Sequence, residues 1–503
     1  MTTLFPLLGT HLFPPATFAD VSDTTFLMVE DRALCSYLPF HQHKLVLVLA
    51  AMRHQADALR AAGHAVHYLR LDEVDNDGLF AAIARELAHG TYARVRHFPP
   101  PGRHAAALLE RAFAAAEVTV EPLPGPQFLT ALDEFDAHLR RGKPFLARFY
   151  RAVRERHGIL LDADGGPRGG RWSFDADNRR ALPREVTPPD WPAVERDAHV
   201  SDCIALVARE FAAHPGVAHE FAWPVTRQGA LAWLDDFLDA RFAAFGTYQD
   251  AITTRSPLVF HSALSPFLNL GLLTPHEVLE RALRHAAAHE VPLNSLEGFV
   301  RQLAGWREFV RGVHARFGAD EARANHFDHQ RRPAPSWYAG DTGIPPLDTA
   351  IRGACARGWN HHIERLMVLG NLMLLAEIAP RHAYAWFMSM YVDAYQWVME
   401  PNVYGMALFS DGGLFATKPY VCGANYLLRM SDHPRGQWCD VVDGLYWRFC
   451  ARQRAFFERQ PRLRVMTGNL DRMDSTRRER IFAAAEAFLA THTIAADGAA
   501  GSA

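Results

Sequence analysis

Along this chain the spacing of apolar positions changes period. Over residues 1–125, short strand-like runs alternate with stretches whose apolar residues return every three or four positions. Leu4–Leu8 and Thr25–Glu30 read as strands, and His43–Ala62 reads as a helix stopped by Gly63. Strand Ala65–Leu71, helix Gly78–His89, strand Arg94–Phe98, helix Arg103–Ala116 and strand Val118–Leu123 follow. Such alternation predicts an α/β domain, a parallel sheet covered by helices. Residues 126–228 are punctuated by PLPGPQ, DADGGPRGG and VTPPDWP, turn-rich stretches expected of a linker. From 229 to 490 the pattern is almost wholly helical, so a large all-α domain is expected there. The tail 491–503, ending AADGAAGSA, is expected to be disordered.

Composition narrows this picture. With 503 residues the chain has room for two to four domains, and at 49% hydrophobic and 22% charged it is a soluble globular type. A net charge of −3 excludes a globally basic nucleic-acid binder but leaves room for a local basic patch. HLRRGKPFLARFYRAVRERHG, residues 138–158, is expected to be one amphipathic basic helix, either a solvated face or a surface for a polyanion. The six cysteines, at 35, 203, 355, 422, 439 and 450, form no C-x-x-C pair, which points to a reducing cytoplasm. MTTLFPLLGTHLFPP lacks a basic n-region and a convincing cleavage site, so its apolar run is expected to form a first strand. No charge-free apolar run reaches the length of a membrane span, and no G-x-G-x-x-G or G-x-x-x-x-G-K-[ST] motif occurs.

The candidate chemistry lies in the helical half. In WNHHIERLMVLGN, residues 359–371, His361 and His362 sit one turn before Arg365 among residues that are apolar almost all round. A buried Arg needs an anionic partner; Glu364, a bound phosphate or a flavin ring edge would each serve. These side chains also suit satisfied polar positions of a core. Ser262 and Ser265 precede Pro266 and an apolar helix, where hydroxyls and free N–H groups hold phosphate or merely cap the helix. Residues 303–314 place Trp306 on an apolar stripe with Arg307 beside it. Residues 383–413 are rich in aromatics and carry Asp393 and Asn402, polar groups suited to sugar or ring-edge hydrogen bonds.

Taken in order, GTHL, MVED, FHQHKLVLVLAAMRH, FLARFYRAVRERHGILLD, GGRWSFDADNRRALP, SALSPFLNLGLL, GWREFVRG, HHIERLMVLGN and DAYQWVMEPNVYGM resemble the photolyase/cryptochrome superfamily. The branch they resemble is that of the bacterial iron–sulfur cryptochromes and photolyases, which includes prokaryotic (6-4) photolyases. The resemblance implies a Rossmann-like α/β antenna domain and an all-helical domain holding a bent FAD. His362 matches a histidine acid that protonates a (6-4) photoproduct, with His361 beside it, and Tyr420 matches a pocket tyrosine. Trp386 resembles the flavin-proximal tryptophan, and Trp337 or Tyr338 stands where a second relay aromatic is expected. Phe387 stands where a redox-active tyrosine is usual, and phenylalanine is very hard to oxidise. Tyr248, Ser262, Leu264, Ser265, Trp306, Arg307, Arg365, Asp393, Met399 and Asn402 are implied flavin contacts. Glu30, His43 and Lys44 match the region that contacts a 6,7-dimethyl-8-ribityllumazine antenna.

Two departures stand out. The branch holds a [4Fe–4S] cluster on four cysteines. Here Pro346, Pro434 and Gln437 occupy the positions of three ligands and Cys439 falls near the fourth, so no cluster and no other metal is expected. Packing of Pro346 and Trp438 is expected to replace it, and Cys355, Cys422 and Cys450 are expected to be free and buried. Where a glutamate is expected near the flavin, Met399 stands with Glu400 beside it; either the register slips by one or the flavin surroundings have changed. The resemblance implies a blue-light DNA repair enzyme acting on UV-damaged DNA, most plausibly (6-4) lesions, as a monomer. The alternative is a cryptochrome-like photoreceptor using the same flavin.

Overall fold

The computed structural model describes residues 2–19, 21, 23–71, 73, 78–89, 92–114 and 118–495. A five-stranded parallel sheet forms first, ordered β3-β2-β1-β4-β5: β1 (Thr2–Pro6), β2 (Thr24–Val29), β3 (Ala65–Leu69), β4 (Tyr92–His97) and β5 (Thr119–Pro122). Each strand lies within two residues of its sequence expectation. β1 ends at Pro6, which brings no N–H to a ladder. α1 (Arg32–Ser36), unforeseen in the sequence, is followed by α2 (Gln42–Ala61), α3 (Gly78–His89) and α4 (Arg103–Ala114). Asp31 explains the turn at the end of β2. Its Oδ1 accepts from Ala33 N (2.7 Å) and Leu34 N at the start of α1, and its Oδ2 accepts from Leu79 N at the start of α3.

Alternation along the strands sends side chains to two cores. Leu4, Leu27, Val29 and Val95 meet α3 and α4 through Leu79, Ile83, Leu109 and Phe113. Phe5, Phe26 and Met28 point the other way, into a core shared with α2 and the helical region. The sheet is therefore joined to the rest of the molecule by packing, and polar bridges add to it. Leu12 N donates to Leu270 O, His41 N to Ser389 O, and Arg103 forms a two-pronged ion pair with Glu400.

Residues 126–228 are more ordered than their turn signals imply. They contain helices Leu132–Leu139, Leu146–His157 and Ala198–Glu210. The single basic helix expected at 138–158 is split, because Gly142 takes a φ of 118° and Pro144 follows. Arg154 in it is fully buried and donates to the carbonyls of Ile159, Leu160 and Trp172, so it is a structural cation and not part of a polyanion-facing surface. From Arg227 the described chain is mostly helical, with a loop over residues 246–264. The expectation of disorder from 491 is corrected at its start: helix Ser475–His492 runs into Thr493–Ile494, which pairs with Arg332–Pro333. Residues 496–503 of that expected tail lie outside the described residues. No helix of the described residues is long and apolar enough to cross a membrane.

Candidate flavin site

Three helices of the second half contain a π-helical turn: Arg301–Arg307, Glu364–Gly370 and Pro401–Ala407. Such turns are rare and recur at functional sites. All three face one cavity of about 280 Å³, close to the small end of ligand pockets, about 300–1,000 Å³. The first presents Trp306 and Arg307, the second Arg365 and Leu366, the third Asn402 and Met406. A fourth side is a loop in which Val259 and Ala263 hold left-handed φ values of 52° and 51°. Non-glycine residues adopt this conformation at a cost of about 1–3 kcal/mol. It presents Ser262 and Leu264 to the cavity before the short helix Ser265–Leu270.

Polar order in the wall centres on Asp393. Its carboxylate accepts two hydrogen bonds from Arg365, at 2.9 and 3.1 Å, and one from the Ser265 hydroxyl at 2.5 Å. Asp393, not Glu364, is thus the anionic partner of Arg365. Glu364 turns away and accepts from Asn360; burial raises its pKa to about 7. Arg365 also donates Nε to Asn360 O and lies 4.0 Å over the Tyr391 ring. Arg307 donates to Asn269 Oδ1 at 2.6 Å and to the Leu268 carbonyl, and stacks on Trp397. Among the described residues no carboxylate pairs with it, and burial lowers its pKa to about 10. Arg307 Nε and Gln249 Oε1, both on lining residues, are buried without a protein partner. An unpaired guanidinium donor and an amide acceptor, set among aromatic and aliphatic side chains and beside the Arg365–Asp393 pair, suit a planar, anionic, hydrogen-bonding cofactor.

His362 reaches the cavity half-buried, its ring 6.4 Å from that of Trp306. Burial, with Arg365 and Arg301 nearby, lowers its pKa to about 4. His361 points elsewhere and stacks on His261 at 4.7 Å. Neighbours on a helix diverge by about 100°, so one of the pair faces the cavity and the other the core. Of the implied flavin contacts, Ser262, Leu264, Ser265, Trp306, Arg307, Arg365, Asp393, Met399 and Asn402 line the cavity. Tyr248 lies outside the wall, stacked on Phe260. Asn402 spends its amide on Val398 O. Met399 faces the cavity, whereas Glu400 turns to Arg103 and lies 2.9 Å from His314, so a one-residue slip does not restore a carboxylate to the wall.

Phe387 is in the wall, Trp386 lies behind it at 5.4 Å, and the Trp386 indole donates to Trp337 O. Trp337 is fully buried, while Tyr338 and Tyr420 are among the exposed aromatics and outside the wall. Glu30 is wholly buried and bonded to Arg53, Tyr68 and Leu71 N. His43 bonds to Val217 O and Lys44 to Ala394 O; burial lowers the Lys44 pKa to about 7. All three spend polar atoms on protein groups. Sequence reasoning missed Gln249, Asn269, Trp359 and Trp397 in the wall. Three of them had a signal: Trp359 opens the stretch that carries the histidines, Asn269 lies in SALSPFLNLGLL and Trp397 in the aromatic-rich stretch 383–413, whereas Gln249 had none.

A [4Fe–4S] cluster does not fit the donor set. Pro434 and Gln437 are exposed, Pro346 is buried in the first turn of a helix, and Trp438 donates to Pro434 O. Cys439 is buried, and among the described residues no three His, Cys, Asp or Glu side chains are placed to hold a metal. Cys422 and Cys450 are free and buried; Cys355 is free but only half-buried.

Residues 6–223 match the family described as deoxyribodipyrimidine photo-lyase-related protein, and residues 299–420 match the FAD binding domain of DNA photolyase. The chain is 34% identical to a (6-4) photolyase of Agrobacterium fabrum, over 97% of this chain and 99% of that protein. Its fold is similar to a bacterial class III photolyase from Agrobacterium tumefaciens (TM-score 0.58, 18% identity, 97% and 98% of the two chains). A cryptochrome of Synechocystis is similar to the same degree (TM-score 0.58, 14% identity, 97% and 98%). With an FAD-binding domain of the DNA-photolyase type, this chain belongs to the photolyase/cryptochrome superfamily, in its bacterial (6-4) photolyase-like branch.

Proposed function

We propose that the protein is a blue-light-driven DNA photolyase for (6-4) photoproducts, with residues 1–125 as an antenna domain, 126–228 as a linker and 229–490 as the catalytic FAD domain. The observation that carries the reading is His362, a half-buried imidazole facing the same cavity as the Arg365–Asp393 pair. FAD, when bound and reduced, supplies a photoexcited electron. Arg307 and Gln249 hold and orient it, and the Arg365–Asp393–Ser265 cluster keeps the wall rigid. The lesion enters flipped, since a stacked base is out of reach. His362 is neutral at pH 7 in the free protein. An anionic lesion strand beside it favours the imidazolium, which then gives its proton to the photoproduct and takes it back. Exposed Tyr420 suits a stacking contact with the strand. The proposal includes a ribolumazine antenna near Glu30, His43 and Lys44, and it takes no step through an iron–sulfur cluster, for which Pro346, Pro434 and Gln437 offer no thiolate.

A cryptochrome-like photoreceptor is the second reading, favoured by Phe387 and Met399 in the wall. Repair decides between them. The FAD-loaded, reduced protein is illuminated with an oligonucleotide carrying one (6-4) photoproduct, beside a dark control and His362→Ala. Light-dependent restoration, lost in the variant, is expected. No restoration with FAD bound and reduced would move the reading to a photoreceptor.

A further inference from the structure

Three tryptophans line the cavity: Trp306, Trp359 and Trp397. Two of them lead nowhere for an electron hole. The Trp306 ring contacts Phe415 and His362, and the Trp397 ring contacts Phe128 with the Arg307 guanidinium 4.8 Å away. Phenylalanine does not accept a hole from tryptophan. Trp359 differs. Its ring meets Trp191 edge to face at 6.4 Å, and Trp191 touches Trp223 at 4.9 Å and Trp233 at 5.3 Å. Trp359, Trp223 and Trp233 are buried, whereas Trp191 is half-buried, on the turn-rich segment between domains. Indoles therefore run from the cavity wall to solvent.

Water grades this run. Trp359, Trp223 and Trp233 are shut away from solvent, whereas Trp191 is half-buried, so hydration stabilises a radical cation best on Trp191 and the hole comes to rest there. The guanidiniums nearest the inner rings, Arg365 by Trp359 and Arg241 by Trp233, are each paired with a carboxylate, Asp393 and Asp236. The indole N–H of Trp191 is held by Ala222 O and that of Trp223 by Arg357 O, which fixes the ring orientations. By contrast, the path through Trp386 starts behind Phe387.

We propose that Trp359 and Trp191 form an electron-hopping route between the flavin cavity and solvent, bypassing Phe387. This rests on the flavin reading above. One electron leaves the Trp359 indole for photoexcited oxidised flavin, and Trp191 refills Trp359. A soluble thiolate then reduces Trp191 and departs as a thiyl radical. The flavin side gains the electron that the thiolate loses.

Transient absorption and electron paramagnetic resonance of the FAD-loaded full chain test the route, with Trp191→Phe, Trp359→Phe and Trp386→Phe compared at equal FAD content. A long-lived tryptophan radical is expected in the parent and in Trp386→Phe, with its lifetime cut at least tenfold in Trp191→Phe and Trp359→Phe. Illumination without thiol is expected to leave oxidised Trp191 detectable by peptide mass spectrometry. Should Trp191→Phe fail to fold, Trp191→Tyr is expected to show a tyrosyl signal in place of the tryptophanyl one; no such signal overturns the route. An unchanged radical in Trp191→Phe together with its loss in Trp386→Phe also overturns it, leaving the flavin reading intact. Absence of any light-driven flavin reduction with FAD bound also overturns the route and leaves the flavin reading intact, whereas a full chain that takes up no FAD sinks both.

Discussion

His362 and Asp393 carry different burdens, and their substitution separates chemistry from architecture. His362→Ala removes a proton donor from an edge of the cavity and leaves the wall's ion pair in place. Light-driven repair is expected to fall by about 10²–10⁴-fold, the usual worth of a general acid or base, with FAD content unchanged. Titration of His362 by NMR is expected near pH 4 in the free protein and higher with lesion DNA bound; an identical value in both would remove the acid role. Asp393→Ala instead strands the Arg365 guanidinium in a largely buried site. A loss of about 3–5 kcal/mol in urea unfolding is expected, with release of FAD. A change under 1 kcal/mol would mean that another group takes over the pairing. At this scale residue types were legible and partners were not. The Arg365 motif announces a buried cation, but its carboxylate lies 28 positions away and only folding brings it near.

Helices around the cavity meet through small residues. A Cβ on Gly370 would stand 2.8 Å from Ala407 Cβ and 3.0 Å from Arg365 O, so the π turns Glu364–Gly370 and Pro401–Ala407 touch at this point. Gly370→Ala is therefore expected to force them apart, costing about 1–3 kcal/mol and weakening FAD retention. Equal melting temperature and flavin content in the variant would rule out a tight crossing. Helix periodicity was readable across all three cavity helices, but the π turns were not, because one extra residue per turn barely disturbs an apolar pattern. The break at Gly142 and Pro144 had visible signals that the strong basic periodicity around it obscured.

Across the whole molecule, buried histidines set an acid limit. Burial holds His11, His41 and His361 at about 3 and His138, His329 and His362 at about 4, against an ordinary value of 6.5. His41 shows why: Nε2 bonds to Cys355 O while Nδ1 accepts from His43 N, an arrangement that needs a neutral ring. Between pH 6.5 and 4 the unfolded chain binds protons that the folded chain refuses. Stability therefore falls as pH falls, by up to roughly 1.4 kcal/mol per histidine per pH unit. Asp250, Glu364 and Glu321, raised to about 6, 7 and 8, act in the opposite sense over much of this window but are outnumbered. Urea midpoints are expected to drop steadily from pH 6.5 to 5; a flat profile would contradict the neutral-histidine reading.

The sequence alone determined the order of strands and helices in the α/β half, the helical nature of the second half and the polar side chains at the centre of the cavity wall, Ser265, Arg307, His362, Arg365 and Asp393. These follow from local periodicity and from motifs whose order along the chain is distinctive. Tertiary structure decided what periodicity does not encode. It chose Asp393 over Glu364 for Arg365, turned His362 inward and His361 away, set Glu400 against Arg103, and assembled Trp359, Trp191, Trp223 and Trp233 from distant segments. Each of these depends on long-range packing, where burial leaves a charge or an aromatic ring only the partners that the fold delivers.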